Sequence, residues 1–161
     1  MSLIKKKEFS AVKTAIKEVD YTTLGLLVGL FVVIDGLSEA GVIDDISSIF
    51  VNGCGNNKFL LYTVIVWGSV LLSAFIDNIP YVATMLPVVT AVASRLNMDP
   101  YVFYFGLLSG ATLGGNLTPI GASANIATLG ILHKAGYEVK AHEFMKISVP
   151  LTLVAIITGY L

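Results

Sequence analysis

Apolar residues in this chain fall into long runs separated by short polar breaks, and the first twenty residues differ from the rest. There Phe9, Val12, Ile16 and Val19 recur at helical spacing among Lys5, Lys6, Lys7, Lys13 and Lys17. That pattern predicts a basic amphipathic helix lying on the cytoplasmic membrane surface, a leader over residues 1–20, with a frayed, solvated leader as the alternative. No continuous apolar core follows these lysines, so the leader does not read as a signal peptide. From Tyr21 to Ile43 the chain is apolar enough, and at about 34 Å long enough, to cross a bilayer as a helix. Gly25 and Gly29 offer a small-residue face for close helix packing. Asp44 to Lys58 reads as a polar loop with Asn52-Gly53 and Asn56-Asn57 turn signals.

Two later runs are interrupted. Phe59 to Ile76 is apolar, and Asp77-Asn78-Ile79-Pro80 breaks it. The run resumes from Tyr81 to Ser94, about 21 Å as a helix and carrying Pro87, which is short of the roughly 30 Å hydrocarbon core. Residues 59–94 therefore predict a re-entrant hairpin that enters and leaves by one face, followed by an exposed turn from Arg95 to Pro100. Tyr101 to Leu113 predicts a helix whose Gly106, Gly110 and Gly114 stack on one close-packing face. The glycine-rich stretch Gly114 to Ser123 stops it, and Ala124 to Leu132 restarts it, with Thr118 or Ser123 placed to cap the restart. Residues 101–132 thus form one broken transmembrane helix. His133 to His142 is a polar loop, and 143–161 a last span.

Composition sharpens this into a class. Of 161 residues 55% are hydrophobic and only 13% charged, where soluble domains carry about 25% charge. The chain is an all-α polytopic membrane protein, and residues 21–161 are its transmembrane part. A soluble enzyme, a disordered tail and a nucleic-acid binder are excluded, the last because the net charge is −1. Cys54 is the sole cysteine, so no internal disulfide or thiolate metal site forms, and in its Gly/Asn-rich loop it reads as unreactive filler. His133 and His142 sit in the charged loop, off any common helical face, and read as solvated. Eight of the ten Lys and Arg residues flank one face and two, Lys58 and Arg95, the other. The positive-inside rule then puts the N-terminus in the cytoplasm, the C-terminus outside, and Cys54 in an outside loop open to an impermeant maleimide.

The breaks carry the chemistry. Irregular backbone at membrane depth survives where it is buried in protein or lines a cavity, and secondary transporters bind substrate and coupling ions at such breaks. A helix ending near Leu113 points carbonyls at the break and suits a cation; one starting near Ser123 points N–H groups at it and suits an anion. Asp77 is the strongest single candidate, since an intramembrane carboxylate costs about 3 kcal/mol and needs a partner or a function; the bland alternative is that it caps a helix at the interface. Asn116, Thr118, Ser123 and Asn125 add neutral oxygens, though such residues often cap helices. Asp35 and Glu39 lie near the outer end of the first span, where a carboxylate is cheap. An intramembrane aspartyl protease would have only Asp35 and Asp77 as its pair, in the wrong sequence contexts. The chain is not read as an enzyme.

Ser73 to Pro87 and Gly110 to Asn125 closely resemble, in order and separation, the paired signature segments of the ion transporter superfamily. The branch is that of citrate transporter-like domains: arsenite permeases, NhaD-type sodium–proton antiporters and the melanosomal P protein. Leu30 to Gly41 is similar to the first helix of the same region. The resemblance implies the second of two inverted repeats, with Asp77-Asn78 at the hairpin tip and 116–125 as the unwound helix. It implies that Asp77, Asn78, Asn116, Thr118, Ser123 and Asn125 line the ion or substrate site. Leu117 stands where the signature usually has glycine, and Pro119 where it has an aliphatic residue. The expected function is secondary active transport in the cell membrane, coupled to Na⁺ or H⁺, with no other cofactor. An anion, arsenite or carboxylate permease half is the alternative, and an inactive or accessory membrane subunit a third. The expected partners are the bilayer, a first-repeat half or a second copy, and a small ion or anion; the charge bias opposes an antiparallel homodimer.

Overall fold

The computed structural model describes residues 21–160, so the leader lies outside the described residues. Among them the secondary structure is helical throughout: α1 Tyr21–Glu39, α2 Val42–Cys54, α3 Lys58–Ser73, α4 Asn78–Arg95, α5 Tyr101–Gly114, α6 Ser123–Lys134 and α7 Ala141–Tyr160. The chain divides into two units, Met1–Val33 and Ile34–Leu161. In the first, the described residues form the start of α1, with Leu24, Val28 and Phe31 exposed. A Cβ placed on Gly25 or Gly29 meets nothing within 4 Å among the described residues.

In the second unit the central contact is α3 against α5. Gly106 faces Tyr62 and Val66, Gly110 faces Val66 and Ser69, and Gly114 faces Val70, so the two helices run parallel. A Cβ on Gly114 would come within 2.5 Å of the Val70 carbonyl oxygen, and one on Gly110 within 2.5 Å of that of Val66. The predicted stripe of glycines is therefore the seam where the two backbones touch. Helix α4 packs on α5 and α2, and α7 packs on α5. Leu61, Leu107, Val88 and Val92 fill the centre.

Two expectations are corrected. The loop expected from Asp44 to Lys58 is mostly α2, an amphipathic helix that starts after Gly41 in a left-handed conformation (φ 77°). Ile43, Ser47 and Cys54 are buried on its inner face, with Ile46, Phe50 and Val51 packed beside them. That spacing of three and four is one helical face, and Asp44 and Asp45 in the first turn suit its positive end. The Arg95 guanidinium, expected in an exposed turn, donates to Asp44 Oδ1 at 2.6 Å and to Ser48 Oγ at 2.5 Å, tying the end of α4 to the start of α2. Met98 in the same turn is buried. Cys54 is likewise buried within the core rather than exposed in a loop.

The second correction concerns lengths. Helix α4 begins at Asn78 with Pro80 in its first turn, where proline's missing N–H costs nothing. It has 18 residues, about 27 Å, and α3 has 16, about 24 Å. The second leg is thus the longer one, and both fall below the roughly 30 Å core. Among the described residues one helix, Ala141–Tyr160, is long and apolar enough to cross a membrane. Its Ile147, Leu151 and Val154 are exposed, as a lipid-facing or partner-facing helix requires, whereas a soluble core helix would cover them. Its last turn docks on α3: the Tyr160 ring stacks on Tyr62 at 5.6 Å, and its hydroxyl lies 2.5 Å from Thr63 Oγ1.

Gly114→Ala should cost about 1–3 kcal/mol, because backbone atoms of Val70 cannot yield to the new methyl. Gly130→Ala, with nothing near it, should be neutral or stabilise by up to about 1 kcal/mol. Thermal unfolding in detergent checks the pair. An impermeant maleimide should leave buried Cys54 unreacted in intact cells and should label Asn56→Cys in a Cys54→Ser background if that loop is outside.

Candidate functional site

The two interruptions of the chain meet. Helices α3 and α5, being parallel, end side by side at Ser73 and Gly114, and α4 and α6 start from the same region at Asn78 and Ser123. Ser73 Oγ donates to the Ala111 carbonyl at 2.6 Å, and Thr118 Oγ1 donates to the Ala74 carbonyl. Gly121 lies against the carbonyls of Ser73, Ala74 and Gly115; a Cβ there would sit 2.6–2.9 Å from all three. Asn125 Nδ2 donates to the Gly115 carbonyl at 3.0 Å and to the Thr118 carbonyl at 3.1 Å, holding the irregular stretch in shape. Side-chain bonds thus serve the Ala74 and Gly115 carbonyls at the breaks and add to the backbone bonds that the Ala111 and Thr118 carbonyls accept from Gly115 and Gly121.

One atom is left over. Asn78 Oδ1 is buried and has no hydrogen-bond donor among the described residues. It points at Gly115, where a Cβ would lie 3.4 Å away. A buried acceptor without a donor costs about 1–3 kcal/mol, so such an atom marks strain or a ligand position. Next to it, Asp77 is the N-terminal boundary residue of α4, but its side chain makes no capping bond. The half-buried carboxylate has no hydrogen-bond or ion-pair partner among the described residues. The simple capping role for Asp77 is absent.

Of the sequence-derived candidates, Asp77, Asn78, Thr118 and Asn125 converge here. Asn116 is exposed and lines a separate groove, and Ser123 is exposed at the start of α6. Neither Thr118 nor Ser123 caps α6; that place belongs to Ala122, because the Thr118 hydroxyl is committed to α3. Sequence reasoning missed Ser73, Gly115 and Gly121 as site-forming residues. Their signal was present, a small polar residue one step before the break and glycines bracketing the second, but which carbonyl they approach is set across the fold.

The groove lies between α6 and α7 and holds about 510 Å³. Leu129, Leu132, Phe144, Ile147 and Leu151 form its walls, Asn116 and Thr152 its inner end, and Glu143 its outer end near the 135–140 connection. Ser148 Oγ donates to the Leu117 carbonyl at 3.3 Å, joining α7 to the second break. His133 and His142 are exposed, and no cluster of metal-ligating side chains occurs among the described residues. Thr118→Val should lower stability by about 1–3 kcal/mol, since the Ala74 carbonyl loses its donor inside the protein. Thermal unfolding against Thr128→Val, whose exposed hydroxyl bonds only within its own helix, measures the difference.

Residues 3–161 match the citrate transporter family. An uncharacterized transporter of Mycobacterium tuberculosis is 34% identical over 144 residues, covering 88% of this chain and 34% of that protein. The human P protein is 34% identical over 152 residues, covering 88% of this chain and 18% of that protein. An uncharacterized transporter of Synechocystis is 27% identical over 175 residues, covering 99% of this chain and 39% of that protein. No solved structure matches. The chain spans about a third of the length of the mycobacterial relatives it matches. With a family match over nearly its whole length, this membrane chain belongs to the citrate transporter family of the ion transporter superfamily.

Proposed function

We propose that this chain supplies one side of the ion site of a secondary active transporter, with Na⁺ or H⁺ as the coupling ion. The observation that carries the reading is the buried, donorless Asn78 Oδ1 at the point where both chain breaks meet. Two parallel helices end there, and the Asp77 carboxylate stands beside it without a partner among the described residues. The N-termini of α4 and α6 offset the C-termini of α3 and α5, so the preference comes from the Asn78 carbonyl oxygen and the Asp77 carboxylate, hard oxygen ligands that favour a cation over an anion. Thr118 and Asn125 brace the break by donating to backbone carbonyls, which leaves the oxygen lone pairs of the Thr118 hydroxyl and the Asn125 amide free to ligate a cation.

Helices α3 and α4 act in this reading as a re-entrant hairpin. Both of its ends lie at α2: Lys58 follows that helix after a short turn, and Arg95 bonds Asp44 and Ser48. An amphipathic helix joining both ends fits a hairpin that returns to one membrane face. The docking of Tyr160 beside Phe59 and Tyr62 likewise sets the end of α7 level with the start of α3, in keeping with an outside C-terminus. The rest of the site comes from another repeat of the transporter or from a second copy. A carboxylate or other anionic cargo is the second reading. It is favoured by the uncapped start of α6, whose first N–H groups face no side chain of their own cap residue.

Asp77→Asn tests the cation reading. In everted membrane vesicles carrying the native transporter, Na⁺- or H⁺-driven flux should fall by about tenfold or more, the scale of losing a charged ligand. Expression and thermal stability should stay near wild type, because the carboxylate bonds nothing in the fold. Unchanged flux would remove Asp77 from the site, and flux that keeps its anion dependence but loses its Na⁺ or H⁺ dependence would assign α6 to the cargo.

A further inference from the structure

We infer that the groove between α6 and α7 is a binding site for one acyl chain of an anionic glycerophospholipid, with its phosphate held at the lysines of the 133–146 region. The inference rests on reading α7 as a membrane span and is independent of the cargo.

Helix α6 buries none of its residues, and Leu129 and Leu132, which line the groove, are only partly covered. The facing wall, Phe144, Ile147 and Leu151, is apolar along two turns of α7. From Glu143 to Leu151 this is about 12 Å, enough for a stretch of hydrocarbon chain. Burying that surface is favourable only for an apolar occupant. The open end carries three lysines against two glutamates. Lys134, Lys140 and Lys146 are all exposed, and each lies within three residues of a lining residue, Leu132, Val139 and Glu143. His133 and His142 join them. Two acids are near. Glu143 is engaged, its Oε2 accepting from the Lys140 N–H at 3.0 Å at the start of α7, where the helix dipole also holds it. Glu138 is exposed in the connection. A slot lined by hydrocarbon and rimmed by lysines matches the two-part chemistry of an anionic lipid, and basic pockets between membrane helices are known to take such headgroups. The inner end of the slot is Asn116, next to the second break, so an occupying chain would brace α6 against α7 where the helix is interrupted.

The test uses the full transporter in proteoliposomes. In a Trp67→Phe background, Leu132→Trp places a fluorophore in the groove. Phosphatidylglycerol and phosphatidylcholine, each with brominated acyl chains, are compared at equal dilution in an unbrominated host. The anionic lipid should quench with higher apparent affinity, by about fivefold for each lysine that meets the phosphate. Lys140→Gln with Lys146→Gln should erase the preference. Equal quenching by both lipids would overturn the proposal, since the groove would then face bulk bilayer. So would absence of quenching, since another helix of the transporter or a second copy would then fill it. If Leu132→Trp unfolds the protein, native mass spectrometry of the unsubstituted transporter decides. Phosphatidylglycerol should be retained through detergent exchange and lost from the double lysine variant; equal retention would overturn the site.

Discussion

The contact on which the site depends is the backbone-to-backbone approach of α3 and α5. It exists because Gly106, Gly110 and Gly114 present only hydrogen toward Tyr62, Val66 and Val70. In a bilayer, lipid tails are as apolar as leucine, so helices gain little by hiding apolar side chains from one another. Close packing and hydrogen bonds must do more of the work. The glycine seam provides the packing, and it fixes the relative height of the two helices. Ser73 then reaches the Ala111 carbonyl, and Thr118 reaches the Ala74 carbonyl. Slide either helix by one residue and both bonds are lost together.

That registry also explains how two irregular stretches can coexist. Each chain break exposes peptide groups that helices no longer satisfy. Here each break is stitched partly by the other: Thr118 from the second serves the first, and Gly121 makes room for carbonyls of the first. Asn125 stitches the second break to itself. Asn78 Oδ1 is the exception. In a region where other polar groups are so fully provided for, an acceptor turned inward with no donor, next to a carboxylate with no partner, is the part of the structure that its fold does not explain.

The outer layer follows a different logic. Helix α2 is held by an apolar face and by Arg95, an exposed ion pair of the kind that contributes little energy but fixes geometry. Helix α7 is fastened at its end by Tyr160 and at its middle by Ser148, Thr152 and Ile156, while its first turns line a groove shared with α6. The bundle is therefore tight around the chain breaks and open toward the lysine-rich connection, which is where the groove lies.

The apolar runs, the polar breaks and the glycine stripe are local properties of the sequence. They determined the helical class, the positions of most helices and the two places where the chain is interrupted, because period and run length are read one segment at a time. Sequence also placed Asp77 and Asn78 together at one break, and Thr118 and Asn125 at the other. It failed where the deciding contact was distant. Asp44, Asp45, Ser48 and Asn52 made α2 look like a loop, since its stabilising partner is α4, dozens of residues away. Pro80 suggested that the second leg began after it, but a proline in the first turn leaves the helix free to begin at Asn78. Direction was undetermined as well: Asn116 and Asn125 look alike in sequence, yet one faces the groove and the other ties the break, because an unwound segment has no period from which orientation can be read. That the two breaks meet, and that Asn78 Oδ1 is left buried without a donor among the described residues, were decided only when α5 came to rest on α3.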